Sequence, residues 1–403
     1  MTPLRFYDFF AGVGLVELAL VPPWECVWAN DNDVTKKAIY DDNFDDPRKL
    51  VCKNVEDVKA DELPTPADMA WASFPCQDLS LAGWRRGING KRSGVFWSFH
   101  EIMANLHRRG QRPPLIVIEN VAGLLYGDNF SGLCEALAEL DMQFGALMID
   151  AKYFLPQSRP RVFVVAVDRT INIDAVTARW PTVGGWFPKS VWRAYDSLSD
   201  EDKALWRWWR LPCPRAAVPA IASIIEDVPT NVKWHTEHET RRLLELMSPT
   251  NLAKIEWAKR TTGRSIGFLY KRTRKDGQRA EVRFDGIAGC LRTTYGGSSR
   301  QTVVIVEQGE VRSRLLSPRE AARLMGADDD FRLPDRYNDA YRAMGDGVAV
   351  PTVRWLSEHL LEPLALAHRF ARQQPVEAIE FEDSLVSFYG STSDVMHARG
   401  GRK

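Results

Sequence analysis

The sequence predicts an α/β protein that is built on a doubly wound, mostly parallel sheet and carries a second, smaller domain. Three observations support this fold class. Short apolar runs alternate with helical stretches up to about residue 170, which is the pattern of a parallel sheet with crossover helices. The polar motifs follow predicted strands, at the edge where ligands bind in such sheets. Near Pro181 the chain becomes rich in Trp, Pro and Arg and its periodicity weakens, which indicates the second domain.

The predicted strands of the first domain are short and mainly apolar. The first strand leads into a glycine-containing turn and a helix that begins at Leu15, and the second strand leads to Asp31. We expect the last two strands to be buried parallel strands, because their runs are almost entirely apolar. Five strands are predicted, at residues 4–10, 26–30, 69–73, 115–118 and 161–167.

Composition divides the chain into four parts. They are a first domain at residues 1–180, a second domain at 181–312, a segment with renewed helical patterning at 313–374, and a tail at 375–403. Helical patterning returns at Ser317, which is predicted to cap a helix that has Pro318 at its first position. We expect a basic stretch to form a positive face on the second domain. Its members are Lys259, Arg260, Arg264, Lys271, Arg272, Arg274, Lys275, Arg279, Arg283, Arg292 and Arg300.

Charge and cysteine content limit the possible functions. Positive and negative side chains balance at 53 each, so any nucleic-acid binding must depend on a local basic face. The six cysteines contain no Cys-x-x-Cys pair, which argues against a metal site and a disulfide framework and favours a reducing, cytoplasmic setting. No apolar run approaches the ~20 residues that span a bilayer, and no signal peptide is recognisable.

Glycines follow the first predicted strand, in the run from Asp8 to Gly14. Glycines at a strand-to-helix turn let a ligand approach the backbone, and an acid at the position of Asp31 can accept two ribose hydroxyl groups. The third glycine of a dinucleotide fingerprint is missing, which counts against a cofactor with a pyrophosphate. Two glycines alone are equally compatible with a simple tight turn.

Cys76 follows the predicted strand at 69–73, between Pro75 and Gln77. A thiolate at a strand end in a ligand cleft is a strong nucleophile. A lone free cysteine is more often a small buried apolar residue, and the flanking proline and glutamine favour a catalytic role only modestly.

Two more motifs follow apolar runs or lead into them. Glu119 comes directly after a buried strand, where poor solvation suits proton donation at neutral pH, although an acid at a helix N-terminus is an equal alternative. Arg159 and Arg161 are two residues apart and share one face of a strand, where they can hold a carboxylate and a carbonyl oxygen. A solvated strand entrance is the alternative for this pair.

In this order and placement, the motifs resemble those of the DNA cytosine-5 methyltransferase family, of the bacterial or phage type that accompanies restriction enzymes. The resemblance covers nearly the whole chain outside the middle region and the tail. It implies a Rossmann-like methyltransferase sheet, which the segment at 313–374 returns to complete, and a second, smaller target-recognition domain. The matching blocks are residues 9–14, 75–77, 119–121, 157–161, 314–320 and 345–351.

The resemblance implies a mechanism in which the Cys76 thiolate attacks C6 of a cytosine that is flipped out of duplex DNA. Glu119 protonates or hydrogen-bonds N3, Arg161 holds O2, and Arg159 orients Glu119. C5 then receives a methyl group from S-adenosyl-L-methionine. The residues implied at the cofactor are Phe10, Gly12, Gly14, Asp31, Asn32, Val55, Pro75, Gly345, Asp346 and Val348.

Three positions depart from the family pattern. Leu15 stands where the family has a second glycine, Asn54 where an Asp often faces the adenine, and Asp346 where an Asn is usual. These departures concern individual cofactor contacts and leave the catalytic set intact.

Two segments are expected to contact DNA. Residues 79–93 resemble the family loop that closes over the extruded base, and residues 289–300 resemble the most suggestive part of its recognition region. An arginine there can read guanine in the major groove, while contact with phosphates alone is the alternative. The residues implied are Arg85, Arg92, Arg292, Thr293, Gly296, Gly297 and Arg300.

The expected partner is double-stranded DNA, bound by a monomer. A cognate restriction endonuclease would act on the same sequence without forming a stable complex with this protein. Three other readings remain open: an RNA cytosine-5 methyltransferase, a catalytically silent DNA-binding regulator, and a nucleotide-dependent oxidoreductase.

Overall fold

The computed structural model describes residues 2–75, 94–181, 185–215, 217–274, 277–292 and 300–373. Its centre is a seven-stranded sheet. The strands are β1 (Leu4–Phe9), β2 (Trp24–Asp31), β3 (Leu50–Cys52), β4 (Met69–Ala72), β5 (Leu115–Asn120), β6 (Met142–Asp150) and β7 (Pro160–Asp168). Their order across the sheet is β3-β2-β1-β4-β5-β7-β6, which confirms the doubly wound α/β fold.

The direction of β7 differs from the prediction. Strands β1 to β5 pair in parallel, but β7 is antiparallel to both β5 and β6. The prediction of a buried strand at 161–167 is confirmed, and its parallel direction was wrong. Only residues 151–159 separate β6 from β7, and a parallel crossover needs about a dozen residues or more, so the chain turns back on itself.

Helices cover the two faces of this sheet. Those of the first domain are α1 (Leu15–Leu20), α2 (Val34–Asn43), α3 (Val95–Arg108) and α4 (Asp128–Ala138). In α3, the buried residues Phe96, Phe99, Met103 and Leu106 recur at three- and four-residue spacing, which places them on one face. Phe99 meets Phe9 of β1 with ring centroids 4.9 Å apart, so this face packs on the sheet.

The middle of the chain forms smaller sheets and short helices. A two-stranded sheet contains β8 (Thr177–Ala178) and β9 (Trp208–Trp209), and a four-stranded antiparallel sheet contains β10 (Ser265–Arg274), β11 (Gly277–Arg283), β12 (Thr302–Glu307) and β13 (Glu310–Leu315). The helices are α5 (Lys189–Asp196), α6 (Asp200–Leu205), α7 (Ile221–Ile224), α8 (Glu237–Glu245) and α9 (Pro249–Arg260). Strand β13 runs across the expected domain boundary at residues 312–313, so a boundary there would divide a strand.

One strand of the four-stranded sheet, β12, is buried on both faces. In β12, Val303 and Ile305 belong to the main core, whereas Val304 and Val306 belong to a small separate core. Successive side chains of a strand point to opposite faces, so one strand serves both cores. The second domain therefore rests on the first through its own sheet.

The last part of the chain returns to the first domain. It contains α10 (Pro318–Met325), α11 (Tyr337–Asp346), α12 (Val350–Leu356), a π-helical turn (Ser357–Leu361) and α13 (Glu362–Gln373). The predicted cap is confirmed, because the Ser317 side chain accepts the Glu320 backbone N–H in a capping box. Arg369 of α13 donates to both carboxylate oxygens of Asp68, at 2.8 and 2.6 Å, which holds α13 beside the start of β4. A bilayer-spanning helix, which would need both length and apolar character, is not found in the described part of the chain.

Candidate active site

The segment that leads to Cys76 is held against the neighbouring strand. Strand β4 continues into Phe74, whose carbonyl oxygen accepts a hydrogen bond of 3.0 Å from Nδ2 of Asn120 at the end of β5. Asn120 is buried, and its Oδ1 accepts the Val121 backbone N–H at 2.8 Å. The amide thereby fixes the ends of two parallel strands side by side. Pro75 follows on the surface, and the predicted residues Cys76, Arg85 and Arg92 lie outside the described residues.

Glu119 and Arg161 form an ion pair at the same edge. The side chain of Glu119 is 9% exposed, and its Oε1 lies 3.0 Å from Nε of Arg161. In the antiparallel register Glu119 is opposite Phe163, so Arg161 is the diagonal neighbour two residues away on the same face. The family resemblance implied that Arg159 orients Glu119, but in this structure Arg159 donates to backbone carbonyl groups elsewhere. Arg161 makes the contact with Glu119.

Arg159 instead binds backbone carbonyl groups from two distant parts of the chain. It is 2% exposed and donates to the carbonyl oxygens of Leu291, Gly345 and Gly347 at 2.9, 2.8 and 2.6 Å. Burial, and then the nearby charge of Arg161, lower the pKa of Arg159 to about 10, which leaves it protonated at neutral pH. Arg159 therefore ties the last motif and the second domain to the start of β7.

Two residues that the sequence analysis did not assign support this arginine. Gln157 is fully buried, donates to the Leu324 carbonyl at 2.6 Å and accepts the Leu291 N–H at 3.2 Å. Asp150 accepts the backbone N–H of Arg159 at 2.7 Å. Gln157 stands inside a recognised motif, but its partners lie far along the chain, so no local pattern predicts its role.

The glycine-containing loop after β1 is held to the end of β2. The backbone N–H of Gly12 donates to Oδ2 of Asp31 at 2.9 Å, and Oδ1 accepts the N–H of Asp33 at 2.9 Å. Phe10, Gly12 and Gly14 all have positive φ, of 60°, 60° and 84°. A left-handed phenylalanine is costly and persists where its surroundings enforce it, which is typical of functional loops.

These residues leave room for a nucleoside cofactor. A Cβ atom on Gly12 would meet no heavy atom within 4 Å, so open space lies in front of the loop. Asn32 and Asn54 hydrogen-bond each other at 3.0 Å beyond β2, and Val55 is buried next to them. The carboxylate of Asp31 retains lone pairs for hydroxyl groups. The carboxylate acceptor Asp31, the open backbone at Gly12 and the apolar residue Val55 therefore lie at or just after the ends of β2, β1 and β3, where a nucleoside would need them.

A buried acid lies beneath this loop. Asp8 is 1% exposed, and neither of its carboxylate oxygens has a hydrogen-bond partner among the described residues. Burial, and then the nearby charges of Glu17 and Asp31, raise the pKa of Asp8 well above its usual value. This unsatisfied polar group fits a loop that binds a polar ligand.

The last motif, residues 345–351, packs over the same loop. The structure explains how the chain accommodates Leu15 and Asp346, two of the three positions that differ from the family pattern. A Cβ atom on Gly347 would lie 2.5 Å from Cδ1 of Leu15, so the bulk of Leu15 occupies the space that a glycine at 347 leaves free. The carboxylate of Asp346 lies 3.5 Å from Nζ of Lys36, which also lies 3.9 Å from Asp31. Lys36 therefore compensates the additional negative charge. Gly345 and Val348, also predicted for the cofactor, are buried nearby.

Replacing Gly14 with alanine is expected to destabilise the protein more than the same change at Gly12. Both positions have positive φ, so each alanine costs about 1–2 kcal/mol in the left-handed conformation. Only at Gly14 would the new methyl group also meet neighbours: it would overlap the ring of Phe44 and lie 2.9 Å from Cδ2 of Tyr40. Overpacking of this kind adds about 1–3 kcal/mol. Thermal unfolding checks this, and equal melting temperatures for the two variants would contradict it.

The predicted DNA-binding surface is partly neutralised within the chain. Arg264 pairs with Asp227 and Arg283 with Asp285, and Lys259 pairs with Glu256. The positive face is therefore weaker than the count of basic residues implies.

The two predicted base-reading arginines differ in environment. Arg292 is exposed, whereas the guanidinium of Arg300 lies over the ring of Tyr337, 5.3 Å from its centroid, and donates to Asn338. Arg300 thus fastens the recognition segment to α11. Thr293, Gly296 and Gly297 lie outside the described residues.

Known proteins share this sequence pattern and this fold. Residues 4–362 match the sequence profile described as C-5 cytosine-specific DNA methylase. The chain is 26% identical over 370 residues to the Type II methyltransferase M.BsuFI of Bacillus subtilis, covering 90% of this chain and 74% of the relative. It is 25% identical over 366 residues to the Type II methyltransferase M.HhaI of Haemophilus parahaemolyticus, covering 89% and 95%.

Solved structures agree on the fold. The Dnmt2 methyltransferase of S. pombe superposes with a TM-score of 0.55 at 17% identity, covering 90% of this chain and 99% of that one. A mutant of Spodoptera frugiperda DNMT2 gives a TM-score of 0.56 at 16% identity, covering 88% and 98%. At this identity the likeness concerns the fold alone, whereas the sequence profile spans most of the chain. The protein therefore belongs to the family of C-5 cytosine-specific DNA methylases.

Proposed function

We propose that this protein methylates C5 of a flipped-out cytosine in a specific duplex DNA sequence, with S-adenosyl-L-methionine as methyl donor and a covalent bond between Cys76 and C6. The observation that carries the proposal is the ion pair of buried Glu119 and half-buried Arg161, 3.0 Å apart, at the sheet edge where the strand leading to Cys76 also ends. A carboxyl group on β5 and a guanidinium group on β7, beside the strand that leads to the Cys76 thiol, match the need for a proton donor, a carbonyl-binding group and a nucleophile in this reaction.

The residues around the glycine-containing loop would hold the cofactor. Gly12 and the rest of the loop would receive its amino-acid end, Asp31 its ribose hydroxyl groups, and Asn32 and Val55 its adenine. S-adenosyl-L-methionine, when bound, supplies an electrophilic methyl group. The open space before Gly12 and the unsatisfied carboxyl group of Asp8 support this assignment.

The chain's own residues activate the base. C5 of aromatic cytosine is a poor nucleophile, and addition of the Cys76 thiolate to C6 breaks the aromaticity and makes C5 enamine-like. Glu119 donates a proton or a hydrogen bond to N3, where negative charge develops. Arg161 holds Glu119 in place and reaches toward O2. Loss of the C5 proton and release of Cys76 restore the ring after methylation.

Duplex DNA is the proposed substrate, because the target atom is inaccessible within a stacked helix and the second domain supplies a surface beside the active site. The relatives above are named Type II methyltransferases, which supports a role alongside a restriction endonuclease that recognises the same sequence. Methylation would then protect that sequence, with no need for a stable complex between the two enzymes. Family membership removes the oxidoreductase alternative.

One experiment separates the remaining alternatives. Purified full-length protein and its Cys76→Ala variant are incubated with plasmid DNA, transfer RNA and labelled S-adenosyl-L-methionine, and modified bases are mapped by bisulfite sequencing. We expect label at C5 of cytosine in one DNA sequence, abolished in Cys76→Ala, which should still bind the duplex. Cys213→Ala, which removes an exposed thiol far from the motif residues in the chain, is the matched control and should remain active.

Two outcomes would contradict the proposal. Label in transfer RNA only would make the protein an RNA methyltransferase. Binding of DNA without label in any nucleic acid would indicate a catalytically silent regulator.

A further inference from the structure

The second domain is joined directly to the segment that carries the catalytic arginines. The backbone N–H of Ser158 donates to the Ala288 carbonyl at 2.9 Å, and the N–H of Ala288 donates to the Pro156 carbonyl at 2.7 Å. Leu291 continues this contact through Gln157 and Arg159, as described above. Residues 288–291, which include the first residues of the proposed recognition segment at 289–300, are therefore fixed to residues 156–159 by backbone and side-chain hydrogen bonds.

Cys290 lies within this contact, and the mechanism proposed above does not use it. Its Sγ lies 3.4 Å from Nη1 of Arg159, the same nitrogen that donates to the Leu291 carbonyl. Arg161 is near enough for its positive charge to act on the sulfur. The second domain thus places one thiol between the two arginines of the first domain.

The charge around Cys290 favours an acceptor role for its sulfur. Burial acts to raise the pKa of the thiol, but the positive charges of Arg159, Arg161 and Arg292 outweigh burial and lower the pKa below its usual value. Two further contacts extend from the arginines. Arg161 reaches Glu119, and Arg159 reaches the carbonyl groups of the last motif.

We propose that Cys290 is a positioning residue through which the second domain aligns Arg159 and Arg161 for the methylation reaction. This inference rests on the proposed function. The sulfur accepts a hydrogen bond from Arg159 and lies within the influence of the positive charge of Arg161, which in turn orients Glu119. Because Cys290 belongs to the proposed recognition segment, DNA held by that segment is coupled to the alignment of the proton donor. Cys290 itself makes no contact with the reacting atoms.

The test compares Cys290→Ala, Cys290→Ser and the control Cys213→Ala in the full-length protein. Affinity for the target duplex is measured by gel shift, and the methyl-transfer rate is measured in a single turnover with saturating DNA and S-adenosyl-L-methionine. We expect Cys290→Ala to lower the rate about tenfold, the value of one hydrogen bond to a charged group, at unchanged affinity. Serine retains an acceptor and should restore part of the rate. Cys213→Ala should match the wild type.

Two results would overturn the inference. A wild-type rate in Cys290→Ala would remove the positioning role. A loss of affinity that accounts for the whole loss of activity would make Cys290 part of binding or of the fold.

A second measurement does not depend on activity. In a double-mutant cycle of Cys290→Ala and Arg159→Lys, we expect the unfolding equilibrium constants to deviate from additivity by about tenfold. Additive effects would disprove the contact on which the inference depends. Absence of methylation by the wild type would instead reject the proposed function, and the cycle would still decide whether the contact exists.

Discussion

Glu119→Gln is expected to slow methyl transfer by about 10²–10⁴-fold, the usual contribution of a positioned proton donor. Glutamine has nearly the same shape, and its amide oxygen can still accept from Nε of Arg161, which lies 3.0 Å from Glu119 in the wild type. It has no carboxyl proton to give to N3 of the base. The loss should therefore appear in the rate of the chemical step, while the fold and duplex binding remain.

The measurement is a single-turnover rate with labelled S-adenosyl-L-methionine and the target duplex, beside a gel shift of the same variant. Glu25→Gln, which makes the same chemical change at an exposed position of β2, is the matched control. A wild-type rate in Glu119→Gln would contradict the assigned role. A proportional loss of affinity would assign Glu119 to DNA binding.

Glu320→Ala is expected to lower the free energy of unfolding by about 3–5 kcal/mol, because it leaves a buried arginine without its partner. The side chains of Glu320 and Arg314 are both fully buried, with Nη1–Oε2 and Nη2–Oε1 distances of 2.7 and 2.6 Å. Glu320 also accepts the backbone N–H groups of Ser317 and Glu226, each at 2.8 Å. One carboxylate therefore joins β13, the start of α10 and the segment after α7.

Urea denaturation of the purified variant measures this effect. Asp329→Ala is the control, because it breaks an ion pair with Arg323 in which the Asp329 side chain is 61% exposed. Pairs of that kind contribute about 0–1 kcal/mol. If both variants lose a similar free energy of unfolding, burial does not determine how much the Glu320–Arg314 pair stabilises the protein.

Much of the first domain could be predicted from local sequence. Strands β1, β2, β4 and β5 lie close to their expected ranges, because strands buried on both faces are continuous apolar runs. Strand β6 was not predicted, since Gln143 and Gly145 interrupt its apolar pattern. The direction of β7 was predicted wrongly for a related reason. An apolar run has the same composition whether its neighbour is parallel or antiparallel, and the short connection from β6 decided the direction.

The sequence predicted which residues belong to the candidate site more reliably than which of those residues contact each other. The residues Glu119, Arg159 and Arg161 could be selected because they flank buried strands. Their spacing predicts a common face but does not specify which arginine meets the carboxylate. The recognition segment shows the same limit, since Arg300 has the sequence context of a base-reading residue and yet stacks on Tyr337.

The sequence by itself determined the α/β class, the strand ends that carry polar motifs, the capped start of α10 and the family. These features depend on backbone periodicity, side-chain burial and short motifs, all of which are local. Only the tertiary structure decided that Arg161 holds Glu119, that Arg159 binds the carbonyl groups of Leu291, Gly345 and Gly347, and that Cys290 enters the same cluster. A buried guanidinium group must satisfy its donors wherever the fold brings acceptors, and here those acceptors lie more than a hundred residues away along the chain.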